Sequence, residues 1–111
     1  MSITTHVLDT SRGKPAAAVP VRLSFHHDGG WKELAHGATD DDGRCRTLLP
    51  PGKLAVGTYR LTFDVAAYFA AHATTSFYPK VSVHFEVTEA VGHYHVPLLL
   101  SPWGYSTYRG S

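Results

Sequence analysis

Apolar and polar side chains alternate along much of the chain in runs too short for helices. In residues 3–9, Ile3, Thr5 and Val7 fall on one side of an extended backbone, and Thr4, His6 and Leu8 on the other. Strand side chains alternate with a period of two, so this pattern predicts a β-strand. The same period returns in residues 19–26, where Val19, Val21, Leu23 and Phe25 share a face. It returns again in residues 57–65 (Tyr59, Leu61, Phe63, Val65) and 81–88 (Val81, Val83, Phe85, Val87). The turn Asp28-Gly29-Gly30 leads into residues 31–39 and predicts a hairpin. Breaks are expected at residues 10–18, which hold Gly13 and Pro15, at the turn in DDDGRC, and at Pro50-Pro51-Gly52. The Ala-rich residues 66–73 form the one plausible helix; Asp64 caps it, or Val65 ends the preceding strand. Two last strands, 93–100 and 105–109, flank Ser101-Pro102-Trp103-Gly104. With no repeat, low-complexity segment or boundary, residues 1–111 are expected to form one all-β domain, a two-layer β-sandwich with one short helix.

A chain of 111 residues buries only a small core, so association with further copies would add to its stability. The net charge is +1 and no segment concentrates Lys or Arg, which argues against nucleic acid or an anionic membrane as partner. No apolar run approaches the roughly 20 residues of a membrane-spanning helix. The first residues, MSITTHVLDT, lack a basic segment followed by a long apolar stretch, and the closing RGS is no known address. A cytoplasmic location is therefore expected. The single cysteine, Cys45, has no internal disulfide partner, in keeping with a reducing compartment. Arg44 and Arg46 flank it and favour a thiolate, but a packed thiol is the simpler reading.

Eight histidines are the unusual count: His6, His26, His27, His36, His72, His84, His93 and His95. Histidine titrates near neutral pH, so the surplus directs attention to acid–base or metal chemistry. In HYHVPLLL, His93, His95, Pro97 and Leu99 share a face, and Tyr94, Val96, Leu98 and Leu100 form the better core face. His6 likewise lies opposite Ile3, Thr5 and Val7, on the side of Leu8. An outward face of His6, Leu8, His95, Pro97 and Leu99 is too apolar for plain solvent exposure and predicts a partner surface or pocket rim. Alternation alone leaves open whether His6 and His95 are neighbours. His93-x-His95 is a spacing that ligates zinc or copper from a strand, but two ligands are too few and no third is fixed, so no metal is expected. His26-His27 reads as a solvated pair. Asp40-Asp41-Asp42-Gly43 lacks the spacing and terminal Glu of a calcium loop and reads as a tight turn.

The stretch HVLDTSRGKPAAAVPV, residues 6–21, resembles the N-terminal signature of transthyretin-like proteins. YHVPLLLSPWGYST, residues 94–107, resembles their C-terminal signature. The strand order and the helix near residues 66–73 agree as well, so the resemblance spans almost the whole chain. It implies a transthyretin-like sandwich of two four-stranded sheets, paired into dimers and then a dimer of dimers with a central channel. The family divides into hormone carriers and hydrolases of 5-hydroxyisourate, an intermediate of urate breakdown. Where the carriers have Lys, Glu and Thr, this chain has His6, Arg44 and His95, and it closes with the Tyr108-Arg109-Gly110-Ser111 tail that resembles the hydrolases. Asp40 departs from them, since they often carry Asn before the DGR turn.

The resemblance therefore implies hydrolysis of a cyclic amide in the six-membered ring of 5-hydroxyisourate, giving 2-oxo-4-hydroxy-4-carboxy-5-ureidoimidazoline. It places His6, Arg44, His95 and Ser111 in catalysis. Substrate contacts are expected from those four together with Tyr108, Arg109, Gly110, Pro97 and Leu99, in channel sites where dimer meets dimer. Neutral imidazole suits the base, which is His6 or His95, with the other orienting water or donating to the leaving nitrogen. Arg44 offers a fixed fork of donors to substrate oxygens. Ser111 offers its hydroxyl or its terminal carboxylate. If residues 105–109 continue as a strand, Ser106, Tyr108 and Gly110 share the channel face, where the Tyr108 ring narrows it. No cofactor is required. The other reading from the same fold is a carrier of a small aromatic ligand without catalysis.

Overall fold

A computed structural model describes residues 2–46, 48 and 54–111. The break expected at Pro50-Pro51-Gly52 lies outside the described residues. Among the described residues, nine strands and one helix follow in order: β1 Ser2–Asp9, β2 Lys14–Pro15, β3 Pro20–His27, β4 Gly30–Ala38, β5 Arg44–Cys45, β6 Gly57–Phe63, α1 Val65–Ala71, β7 Val81–Val87, β8 His93–Ser101 and β9 Gly104–Thr107. One sheet has the order β4-β3-β6-β7, all antiparallel neighbours. The other runs β2-β1-β8-β9, with β5 also on β1. Because β2 pairs with Leu8 and Asp9 while β5 pairs with Thr5 and His6, the two short segments share one edge lane. The sheet thus has five strands where four were expected, laid out in four lanes.

The apolar faces predicted from alternation meet between the sheets. Ile3, Val7, Val96, Leu98 and Leu100 from one pack toward Val21, Leu23, Tyr59, Leu61 and Phe63 of the other. Thr5 is buried among them and offsets the cost by donating its hydroxyl to the Val96 carbonyl at 2.6 Å. Between β3 and β4, Asp28 and Gly29 both adopt positive φ, 50° and 76°. A two-residue loop of that kind matches strand twist, which is why Asp-Gly closes this hairpin. The helix begins at Val65, one residue before the expected start, because Asp64 turns out of the strand and accepts from the Ala67 N–H at 3.2 Å.

The element that matters for the site is the pairing of β1 with β8, the only parallel pair among the described strands. It runs unbroken from Ser2 opposite His93 to Asp9 opposite Leu100. In a sheet, paired residues point to the same face, so this register puts Thr4 beside His95 and His6 beside Pro97.

Candidate functional site

Four lanes deliver polar side chains to the outer face of the β1–β8 sheet. β1 contributes Thr4 and His6, and β8 contributes His93 and His95. β5 contributes Arg44 directly opposite His6. The fourth contribution comes from the tail. β9 pairs Leu98 with Thr107, and three residues farther along each strand His95 bridges to Gly110, so the tail holds the same register. The ladder nevertheless stops at Thr107 instead of running through residue 109. Pro97 has no N–H to give, and its carbonyl is taken by the Thr107 hydroxyl at 2.7 Å. The Gly110 N–H then reattaches the tail to the His95 carbonyl at 2.8 Å.

Gly110 lies flat against His95. A Cβ at this position would overlap Cδ2 of the ring and stand 3.1 Å from Cγ. No larger residue fits without moving the imidazole. Arg44 is set by the turn before it. Asp40 accepts from the Asp42 and Arg44 N–H groups with Oδ1, at 2.9 and 3.0 Å, and Arg46 pairs with Oδ2 at 3.6 Å. An Asn side chain offers the same carbonyl to the two N–H groups, so Asp40 keeps the geometry expected of Asn. Gly43, with φ 77°, allows the chain to pass close to β1, where the Val7 N–H donates to its carbonyl at 2.7 Å.

The resulting cleft, of about 460 Å³, is lined by Thr4, Thr5, Arg44, Cys45, Arg46, His93, His95 and Ser111. It unites three of the four residues expected in catalysis: Arg44, His95 and Ser111. His6 stands at its margin, opposite Arg44 in register and near enough for its charge to act on His95. Tyr108 and Arg109 lie on the other flank of His95. They line a second depression of about 290 Å³ with Val83, Phe85 and Glu86 of β7, and the Arg109 guanidinium covers the Tyr94 ring at 4.8 Å. Pro97 and Leu99 continue the outer face beyond the cleft; Pro97 is buried and Leu99 half-buried. Cys45 is buried on the core side.

His95 is half-buried, and its pKa is held below the ordinary histidine value. Burial is the main cause, followed by the Arg44 charge and by neighbouring His93 and His6. A neutral imidazole beside a fixed cation is therefore the resting state near neutral pH. Its Nδ1 lies 2.8 Å from the Thr4 hydroxyl, which also lies 3.3 Å from Nε2 of His93. His93 in turn meets the Ser2 hydroxyl through Nδ1 at 2.6 Å. Neither Thr4 nor Ser2 stands out in the sequence, although the period of two puts Thr4 on the face of His6. The His93 and His95 rings stack 6.3 Å apart. Among the described residues no group of three His, Cys, Asp or Glu side chains converges as a metal site.

The model of the HIUase/Transthyretin family matches residues 3–110. The mouse 5-hydroxyisourate hydrolase is 49% identical, over 98% of this chain and 94% of its own length. Among solved structures, the 5-hydroxyisourate hydrolase of Klebsiella pneumoniae superposes with a TM-score of 0.86 at 35% identity and full coverage of both chains. Sea bream transthyretin in complex with thyroxine superposes with a TM-score of 0.91 at 34% identity, over 99% of this chain and 95% of the other. Backbone shape therefore does not separate enzyme from carrier, and the side chains on the sheet face must.

Proposed function

The chain belongs to the HIUase/Transthyretin family, and from that footing we propose that it hydrolyses 5-hydroxyisourate to 2-oxo-4-hydroxy-4-carboxy-5-ureidoimidazoline. The observation that carries the proposal is the convergence of His95, Arg44 and Ser111 on one cleft, with His6 at its edge. An apolar ligand does not suit a cleft whose walls are two arginines and two histidines. A small polar bicycle rich in carbonyl and N–H groups does.

Hydrolysis adds water oxygen to the ring carbonyl, breaks the carbon–nitrogen bond and returns a proton to the departing nitrogen. His95 is the base: it is neutral at pH 7 and takes the water proton as the bond to carbon forms. Arg44 faces the carbonyl oxygen and stabilises its negative charge, the largest contribution such sites make. His6, opposite Arg44, orients the water or supplies the leaving nitrogen's proton. Ser111 closes the cleft and contacts the substrate, and Tyr108 and Arg109 line the adjoining depression on the other flank of His95. Nothing in this sequence of steps calls on a metal or organic cofactor.

The working unit is a homotetramer in the cytoplasm. β7 and β9 each form one edge of their sheets, and both border one depression, so they lie on the same side of the sandwich. A second copy adding strand to strand there extends both sheets and removes both edges. Two such dimers then stack their outer faces, covering Leu8, Pro97 and Leu99 and enclosing the clefts. Among the described residues no helix is long and apolar enough to cross a membrane.

Adding the protein to freshly generated 5-hydroxyisourate and following its ultraviolet decay tests the assignment. The expected result is acceleration by orders of magnitude over the spontaneous rate. Decay at the spontaneous rate, with tight binding of thyroxine, would establish the carrier instead.

A further inference from the structure

The hydroxyl of Thr4 touches two imidazoles, Nδ1 of His95 at 2.8 Å and Nε2 of His93 at 3.3 Å. A threonine hydroxyl has a single proton, so it donates to one ring and accepts from the other. If it donates to His95, the proton of that ring sits on Nε2 and the ring has no lone pair left for water. If it accepts from Nδ1–H of His95, it donates to Nε2 of His93. His93 then gives its Nδ1 proton to Ser2 at 2.6 Å, and each of the three links in the row is filled. The hydrolase reading decides between the two, because only the second leaves Nε2 with the lone pair that a base needs. Arg44 lines the same cleft as His95, and its positive charge disfavours a second proton on that ring.

We propose that Thr4 and His93 are positioning residues for the hydrolysis, which hold His95 in the tautomer protonated on Nδ1 so that Nε2 is the base. This rests on the hydrolase reading and on His95 as its base. Neither Thr4 nor His93 touches the reacting atoms; both act through His95. The arrangement also holds the ring after it accepts a proton, because the Nδ1–H bond to Thr4 is kept in the imidazolium. Gly110 lies along the carbon edge of the same ring, where an added Cβ would overlap Cδ2.

The experiment pairs ring-nitrogen NMR of the ¹⁵N-histidine-labelled protein with kinetics of Thr4→Val, Thr4→Ser and His93→Gln. His95 is assigned by the loss of its signals in His95→Asn. The expected wild-type spectrum shows Nδ1 protonated and Nε2 bare at pH above the ring's pKa. Thr4→Val, which keeps the shape and loses the hydroxyl, should lower kcat roughly ten- to thirty-fold, the worth of one hydrogen bond, with KM little changed. The acid limb of its pH profile should move to lower pH, because the imidazolium loses its Nδ1–H acceptor. Thr4→Ser should restore kcat, and His93→Gln should lower it less than Thr4→Val does, since the amide oxygen still accepts from Thr4. A proton on Nε2 in the wild type overturns the proposal, as does a Thr4→Val enzyme within twofold of wild type. A wild-type protein without hydrolase activity overturns the underlying reading instead, and the tautomer spectrum then decides the role of Thr4 by itself.

Discussion

Replacing Gly110 with alanine adds one methyl group at the most crowded point of the site. The new carbon would overlap Cδ2 of His95 and sit 3.1 Å from Cγ and 3.3 Å from Cβ. Carbon atoms pack comfortably at about 3.5–4.0 Å, so either the tail or the ring must move by about an ångström. If the tail lifts, the Gly110 N–H bond to the His95 carbonyl at 2.8 Å is lost, at a cost of about 1 kcal/mol. If the imidazole turns off its rotamer, the cost is about 0.5–1.5 kcal/mol. Either is small against the roughly 5–15 kcal/mol by which domains are stable, so the variant should fold. Catalysis is far less tolerant, because misplacing a reacting group by about 1 Å costs on the order of a hundredfold. Gly110→Ala should therefore lower kcat/KM by about two orders of magnitude while the urea midpoint changes only slightly. Initial rates from ultraviolet decay, set beside urea unfolding followed by circular dichroism, read both quantities on one preparation. A rate within threefold of wild type would refute the reasoning, since the tail could not then rest on His95 in the active molecule.

Two other outcomes follow from groups with displaced pKa values. His95 sits below 6.5, through burial first and then Arg44, so the acid limb of kcat/KM should have its midpoint below pH 6.5; an apparent pKa at or above 6.5 contradicts this. The same shift bears on stability: between the folded and unfolded values the unfolded chain binds more protons, so the contribution is lost as pH drops below 6.5. For Asp9, burial works to raise the pKa, but it is outweighed by bonds from the Ser11 hydroxyl, the Tyr68 hydroxyl and the Arg12 and Ser11 N–H groups, which lower it below 3.8. Its folded pKa is depressed, so its stabilisation is present above pH 3.8 and lost as pH falls through the folded value. Tyr68→Phe removes the 2.7 Å bond and should cost about 1–3 kcal/mol at pH 7 and less once Asp9 is protonated. Urea titrations at neutral and strongly acidic pH compare the two, and an equal loss at both would rule out the charged bond as the cause.

Much of the fold is legible in single strands. The alternation in β1 and β6 names the buried residues in advance, because each strand has one face against the core. Asp28-Gly29 announces its hairpin for a conformational reason that needs no partner. The site is another matter, because it depends on which strands lie side by side. The period of two puts His6 and His95 on outward faces, yet only the parallel register of β1 on β8 brings them together. β5 is two residues long and has no period at all; Arg44 reaches the site because Gly43 lets the turn close on Val7. The tail eluded the pattern as well, since its strand ends where Pro97, ten residues earlier, fails to supply a donor. Thr4 resembled any outward threonine until its two imidazole partners were in place.

The parallel pairing of β1 with β8 has a further consequence for how the protein comes into being. Thr4 and His95 are 91 residues apart, so the first strand made and nearly the last must find each other before any of the chemistry exists. A contact of that separation closes a long loop with little local help, which makes it slow to form. On the ribosome, β1 must wait with one edge unpaired until β8 has emerged. Activity should therefore appear late and all at once in refolding, after the β3–β4 hairpin has already acquired its secondary structure.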